Sequence, residues 1–368
     1  MRRLFAKNQN LFKKRQFRLL QIESSIACNL RCVMCPWKQI SKRVENHGIM
    51  LPAIWESIRP YLREAQSVDF TGGGEPLLQP QLVGWISEAH AAGCETGILT
   101  NGFLLNKKKA EQIIRAGVDW ICVSIDGATE GIYEQIRIGS DFKRVCENMF
   151  NIGRLRSTKK PKTMINFVLM PMNFHQVEDI LKLAARLGVD QVNYKQCDVI
   201  RGEDGKGLGL FNTKETPEIL RLKKRLSKAR RLAKRLNVQT TFFAFTPEEQ
   251  PVCDQDPRDS VFIRHDGKAA PCISLAIGGP TTFLGEDKTM PTVHYGTLPD
   301  EDLMDLWEGD TCKFFRKRFE KRLQTHDNKI LESFKSGSSN RLKIIQAAKS
   351  AMPEAPQGCG ICHYLYNI

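Results

Sequence analysis

No stretch of the 368-residue chain approaches eighteen consecutive apolar residues, so no transmembrane helix can be read from it. The N-terminal Met1-Arg-Arg-Leu-Phe-Ala-Lys carries charge but lacks an apolar core followed by a small-residue cleavage site. That excludes a readable export signal and leads to the expectation of a cytoplasmic protein without a membrane partner. Histidine is scarce, at seven residues with none in metal-ligand spacing, which argues against a histidine-built metal centre. There is no low-complexity segment and no repeat beyond an alternation of strand and helix. With 41% apolar and 26% charged residues the chain is an ordinary globular protein, long enough for a large principal domain and a smaller second one.

Cysteine, by contrast, is abundant, with twelve residues. A long chain without an export signal is a poor fit to a disulfide scaffold, and in a reducing cytosol clustered cysteines more often bind metal. Cys28, Cys32 and Cys35 form one cluster, and Cys253, Cys272, Cys359 and Cys362 form a second set. Cys94, Cys122, Cys146 and Cys197 fall on expected helices or strands and read as small core residues. Cys312 lies outside both patterns and reads as a half-buried structural cysteine, and His363 as a terminal surface histidine.

Charge is uneven. Lys and Arg number 55 against 41 Asp and Glu, a net charge of +14, which favours anionic partners. Residues 219–236 contain nine Lys or Arg and no acid. Ile219, Leu222, Leu226, Ala229, Ala233 and Leu236 recur there at helical spacing, so the charges belong on the outer face of a helix. No aromatic residue interleaves them, which weakens a nucleic-acid reading without removing it. A second basic stretch spans 313–323.

The first two hundred residues repeat a short apolar strand, a polar or glycine-rich turn and an amphipathic helix. Strands are expected at Leu19–Glu23, Ser67–Phe70, Thr96–Leu99, Trp120–Ile125, Thr163–Leu169 and Gln191–Lys195. Helices are expected at Pro52–Glu64, Pro80–Ala92, Lys107–Ala116, Phe142–Leu155 and Phe174–Leu187, with Gly93, Gly117 and Gly188 as left-handed caps. Alternation of this kind predicts parallel βα units and, with six of them, an incomplete barrel. Polar and glycine-rich residues follow the first four strands: the Cys28 cluster, Thr71-Gly-Gly-Gly-Glu75, Thr100-Asn101-Gly102 and Ser124-Ile-Asp126-Gly127. Active sites of parallel barrels are assembled from such strand ends. Beyond a glycine-rich loop at 201–209, the basic helix and an apolar strand at Thr240–Phe245, the rhythm stops near residue 250.

Three thiolates within eight residues can wrap one metal centre from a single loop. Cubane clusters normally take four cysteines, so three would leave one iron free for a ligand; a zinc knuckle with a distant fourth ligand is the alternative. The segment Ile26–Trp37 and the strand before it resemble the cluster loop of radical S-adenosylmethionine (radical SAM) enzymes. The resemblance implies a [4Fe–4S] cluster on Cys28, Cys32 and Cys35 that binds S-adenosylmethionine and, on reduction, yields a 5′-deoxyadenosyl radical that abstracts hydrogen from substrate. It implies an external one-electron donor such as flavodoxin or ferredoxin. Met34 stands where many members have an aromatic residue, and a flexible thioether can still pack on adenine. Gly73-Gly74-Glu75 matches the motif that engages the methionine amino group, Ser124 and Asp126 the strand-four position, and Arg137 an arginine that pairs with the cofactor carboxylate. Asn101 and residues 166–169 are implied near ribose or adenine.

The C-terminal set resembles the twitch and SPASM extensions of the same enzymes. The stretch Ile263-Arg-His-Asp266-Gly267 through Pro271-Cys272 is similar to theirs, as are Tyr295-Gly296 and Leu306-Trp307. Four thiolates imply one auxiliary [4Fe–4S] cluster, with structural zinc as the alternative. The expected fold is α/β: a partial (β/α)6 TIM-like barrel over 1–205, a bridging helix and strand over 206–250, and a twitch/SPASM-like domain over 251–368. The expected activity is a net oxidative modification of a small molecule or biosynthetic intermediate. Only 27 residues precede Cys28, too few for a leader-binding segment, so a peptide maturase would need a separate partner. An RNA-modifying enzyme is the further alternative. The basic segment 313–350 is expected to cover the barrel mouth or dock a partner.

Overall fold

A computed structural model describes residues 15–37, 48–156, 160–197, 205, 207–210, 217–243, 247–335 and 340–367. Most of the glycine-rich stretch 201–209 and the start of the loop at 337–340 lie outside these residues. The strands are β1 Phe17–Ile22, β2 Ala65–Phe70, β3 Glu95–Thr100, β4 Trp120–Ser124, β5 Lys162–Leu169, β6 Gln191–Gln196, β7 Gln239–Thr241, β8 Ser260–Ile263, β9 Lys268–Ala270, β10 Gly279–Phe283, β11 Glu286–Met290 and β12 Gly296–Thr297. The first nine and β12 make a single ten-stranded sheet in the order β12-β9-β8-β1-β2-β3-β4-β5-β6-β7. From β8 to β7 every neighbouring pair is parallel, so the sheet is an open, partial barrel.

Helices α1 Pro52–Ile58, α2 Leu82–Ala91, α3 Lys107–Arg115, α4 Glu130–Ile136, α5 Phe142–Leu155, α6 Val177–Leu187 and α7 Pro217–Leu236 supply the crossovers that parallel strands require. The expected Pro52–Glu64 helix gives way to a 3₁₀ turn at Arg59–Glu64. Pro60, which has no N–H to donate, sits in that change. Phe174–Gln176 is likewise a 3₁₀ turn ahead of α6. Asn106 and Asp141 cap α3 and α5 by accepting from Lys109 N and Arg144 N. Gly93, Gly117 and Gly188 all have the expected positive φ.

Alternation along the strands divides the sheet into two faces. Leu20, Ile22, Val68, Phe70, Ile98, Val123, Ile165, Phe167, Val192 and Tyr194 are buried against the helices. Trp55 of α1 stacks on Trp85 of α2 at 5.0 Å in this layer. Asp69, Ser124, Asn166, Asn193 and Lys195 point the other way, onto a concave face that keeps contact with solvent.

The basic helix α7 buries Leu222, Leu226, Ala229 and Ala233 and turns its cations outward, as its spacing predicts. It is tied to α6 by Arg225, which donates to Glu178 Oε2 at 2.7 Å, and leads into β7 beside β6. The strand expected at Thr240–Phe245 is the shorter Gln239–Thr241 within the described residues.

Helices α8 Ile273–Ile277, α9 Leu303–Glu308, α10 Asp310–Lys335 and α11 Arg341–Ala351 complete the chain. Phe315, Phe319 and the 1% exposed Arg322 of α10 lie in the C-terminal core, where Arg322 donates to Pro251 O at 3.1 Å and Gln250 O at 3.1 Å. This part of 313–350 thus contributes to the C-terminal core. Cys312 is fully buried, not half-buried. Among the described residues no helix is long and apolar enough to cross a membrane.

Candidate active site and auxiliary thiol cavity

The cysteine loop leaves β1 and runs beside the segment after α4. Arg31 N donates to Ile138 O and Val33 N to Ile136 O, both at 2.9 Å, so Cys32 is set opposite Arg137 by backbone pairing alone. Arg137 Nη1 lies 3.7 Å from Cys32 Sγ. Its Nε and Nη2 are 2.7 and 2.6 Å from Asp126 Oδ2. Asp126 Oδ1 accepts from Val168 N at 2.7 Å, and Asn173 donates to Asp126 O and Val168 O at 2.9 and 2.8 Å. Both members of the ion pair are buried. Burial disfavours the Arg137 cation, but Asp126, Cys32 and Tyr133 outweigh it and raise its pKa, so the guanidinium stays charged beside the thiol.

Cys28 is exposed at the end of the loop, where Leu30 N and Asn101 Nδ2 donate to its sulfur at 3.5 and 3.8 Å. Burial pushes the Cys32 thiol up to about 12, with the Arg137 charge opposing and the neighbouring Cys35 and Cys28 adding to the rise. Cys28 and Cys32 are thus within electrostatic reach of each other and of Cys35, and burial holds both of their thiols above the ordinary range; a bound cationic centre opposes that rise. Among the described residues no group of three or more His, Cys, Asp or Glu side chains converges as a single ion requires. Three thiols carried on one loop match a cubane held by three cysteines with one iron left open.

The glycine loop after β2 closes against this loop. Glu75 N donates to Ala27 O at 2.8 Å. A Cβ at Gly74 would overlap Ala27 O and the Ile26 backbone, and one at Gly73 would overlap Ile26 and crowd Trp37. Close approach of loop to loop is therefore what demands glycine here. The Glu75 carboxylate is buried: Oε1 accepts from Thr100 Oγ1 at 2.6 Å and Leu77 N at 3.1 Å, and Oε2 from Asn101 N at 2.8 Å. Burial raises its pKa, and these three donors oppose the rise. The sequence signalled Glu75 and Asn101 separately; only the fold makes Glu75 the bracket between two strand ends. Ser124 is half-buried at the end of β4, and Met34 packs in a partly buried apolar cluster with Val168, Met170 and Met172.

The second thiol set spans 109 positions of sequence, from Cys253 to Cys362, but gathers around one space. Cys253, Cys272, Cys359 and Cys362 line one small apolar cavity with Leu275 and Met290. Burial pushes Cys272 up to about 12, opposed by the N–H groups of Leu275 and Ser274. Cys359 is raised by burial and then by the charges of Cys272, Cys253 and Cys362. Burial raises Cys253, Cys272 and Cys359, which a cationic centre would offset, and with Cys362 the four sulfurs make the full ligand complement of a cysteine-ligated cluster. His363 is half-buried rather than a surface residue; its ring meets that of Phe283 edge-on at 5.2 Å, and burial lowers its pKa to about 4.

Sequence reasoning missed Asp69, Lys195, Glu23 and His265. Asp69 lies on the concave face of β2, bonded by the Thr71 hydroxyl, and burial pushes its carboxyl up to about 7. Lys195 is exposed on the concave face of β6. Glu23 and His265 form a buried pair. His265 falls within the Ile263–Gly267 stretch, but the spacing of these four residues along the chain marks no role for any of them.

The fold and the two thiol sites define a radical SAM enzyme with a C-terminal SPASM-type domain. Residues 22–184 match the family model of the Radical SAM superfamily, and residues 253–329 that of the SPASM iron–sulfur cluster-binding domain. The chain belongs to this family, and its cofactors are S-adenosylmethionine, a [4Fe–4S] cluster and an auxiliary cluster. It is 25% identical over 305 residues, 81% of this chain and 82% of the relative, to the tungsten-containing aldehyde ferredoxin oxidoreductase cofactor-modifying protein of Pyrococcus furiosus. It is 29% identical over 179 residues, 48% of this chain and 55% of the relative, to the GTP 3′,8-cyclase of Alkaliphilus metalliredigens. Among solved structures, SuiB of Streptococcus suis bound to S-adenosylmethionine matches with a TM-score of 0.62 at 16% identity, covering 85% of this chain and 72% of that one. The enzyme anSMEcpe with bound AdoMet matches with a TM-score of 0.61 at 19% identity, covering 82% and 79%. These two likenesses concern the fold.

Proposed function

We propose that the protein carries out a net oxidation of a small polar molecule or biosynthetic intermediate. The reading assigns the catalytic cluster to Cys28, Cys32 and Cys35, and the auxiliary cluster to Cys253, Cys272, Cys359 and Cys362. When bound, the two clusters and S-adenosylmethionine supply a hydrogen-abstracting radical and an acceptor for the electron left on the substrate. The observation that carries the reading is the second cavity. It offers four thiols, a full complement that leaves no open position for substrate and so favours electron transfer.

The chain's own residues then bind and orient. The backbone of Gly73 and Gly74 and the carboxylate of Glu75 would hold the amino group of the cofactor; Oε2, with one donor, retains acceptor capacity. Asn101, Ser124 and Met34 would hold its ribose and adenine. Asp126 fixes Arg137, which lies against Cys32 and whose remaining N–H groups would hold the cofactor carboxylate. On the concave face, Asn193 donates to Asn166 Oδ1 at 2.9 Å and accepts from the Thr241 hydroxyl at 2.8 Å. Lys195 has no ion-pair partner among the described residues. That wall suits a polar, hydrogen-bonding substrate with an anionic group near Lys195. A peptide substrate presented by a partner is the second reading, favoured by the exposed Leu331, Phe334 and Leu342 on α10 and α11.

The test replaces all four auxiliary cysteines by alanine. Anaerobic protein should lose about four of about eight irons and keep cleavage of S-adenosylmethionine, but lose the oxidised product. Oxidised product at the wild-type level would defeat the electron-acceptor role. Low-molecular-weight cell extract should stimulate formation of 5′-deoxyadenosine; stimulation by the peptide fraction alone would favour the second reading.

A further inference from the structure

The family match divides the chain at about residue 250, yet the sheet does not stop there. Strand β8 lies parallel to β1 in register from Leu19↔Ser260 to Ile22↔Ile263. One residue further on, Glu23 N donates to Ile263 O at 2.8 Å. The Glu23 side chain is completely buried. Its Oε1 accepts from Gly73 N at 2.8 Å. Its Oε2 accepts from the ring nitrogen Nδ1 of His265 at 2.7 Å and from His265 N at 3.4 Å. His265 is itself only 5% exposed.

One carboxylate therefore joins the glycine loop of the barrel to the turn between β8 and β9. The contact is tight on both sides. A Cβ at Gly72 would overlap the Glu23 side chain, so the loop is moulded onto it. The turn that presents His265 is closed by Gly267, whose φ of +84° and position under Leu298 O exclude a side chain. Glu75 N, at the other end of the glycine loop, is bonded to Ala27 O of the cysteine loop. Between Glu23 and Ala27 the conformation of 73–75 is set from both ends, and the Glu23 end depends on His265 for its orientation. A buried carboxylate deprived of its main donor must find another or move, because the unpaired oxygen is costly.

We propose that His265 is a positioning residue: through Glu23 it fixes Gly73, so that the auxiliary domain determines how tightly the barrel binds S-adenosylmethionine. The inference rests on the assignment of residues 73–75 to that cofactor. No local motif predicts it, since Glu23 and His265 are 242 residues apart.

The test uses the full chain with both clusters reconstituted. His265→Ala removes the donor, whereas His265→Asn keeps an N–H near the position of Nδ1. Iron content, S-adenosylmethionine affinity by equilibrium dialysis, and the change that the cofactor induces in the electron paramagnetic resonance spectrum of the reduced protein are measured. His265→Ala should retain iron while its affinity falls about tenfold or more and the spectral change needs correspondingly more cofactor; His265→Asn should recover most of the loss. Glu23→Gln should weaken binding similarly, and the double variant should be no worse than either single one. Wild-type affinity in His265→Ala, additive losses in the double variant, or loss of iron in both single variants would overturn the proposal. Wild-type protein that binds no S-adenosylmethionine would instead defeat the assignment of the loop.

Discussion

Arg137 places Nη1 3.7 Å from the sulfur of Cys32, and Asp126 holds it there through two nitrogens at 2.6 and 2.7 Å. A cation at a thiolate ligand favours the form of a cluster that carries one more electron. Arg137→Gln should therefore lower the midpoint potential of the N-terminal cluster, by roughly 60 mV or more if the contact is worth a tenfold factor in a one-electron couple. Arg137→Lys should lower it less. A titration monitored by electron paramagnetic resonance measures the shift, and an unchanged potential would show that the contact does not reach the cluster.

The same pair makes a prediction about stability. Asp126→Ala leaves a buried guanidinium without its counter-ion and should cost about 3–5 kcal/mol. The double variant Asp126→Ala/Arg137→Met, which removes both charges, should recover part of that loss. Chemical denaturation followed by circular dichroism under anaerobic conditions compares the two.

Two glycines separate packing from flexibility. Gly74→Ala drives a methyl group into Ala27 O and the Ile26 backbone, so it should abolish binding of S-adenosylmethionine while the helical signal persists. Gly131, inside α4 with nothing near its would-be Cβ, is the control. Gly131→Ala should leave binding intact and stabilise by about 0.5–1 kcal/mol.

Asp69 links stability to pH. Burial raises its carboxyl to about 7, well above the ordinary aspartate range near 4, so the folded state holds a proton that the unfolded state has released. Between these values stability falls as pH rises, and the loss is complete once pH passes the folded pKa. From about pH 4 to pH 7, wild-type protein should lose stability relative to Asp69→Asn, and above that range the difference should level off. Denaturant midpoints of the two proteins at each pH test this; parallel curves would place the carboxyl at its ordinary value.

The six βα units were legible because each carries its own signals: apolar strands, amphipathic helices and a glycine where a helix must turn back. Cys28, Cys32 and Cys35 could be read together because three thiols within eight residues must share one loop. The spacing around Cys272 and the Cys359–Cys362 pair announced a second site for the same reason. These are local constraints, and local constraints are written along the chain.

Other relationships arise only when distant segments meet. The pairing of β8 with β1, the Glu23–His265 contact and the binding of Arg137 to Cys32 each join residues 105 to 242 positions apart. His363 and Cys312 read as bland positions because burial depends on what packs over them. The residue types at Glu75 and Asp126 were evident from the sequence; that three donors and a guanidinium already occupy their carboxylates was not. The composition and order of residues determined a strand–helix barrel with two thiol sites. Tertiary packing decided which charges face the thiols and which domain holds the glycine loop, because hydrogen-bond partners across a sheet are selected by register and burial, neither of which is a property of neighbours in sequence.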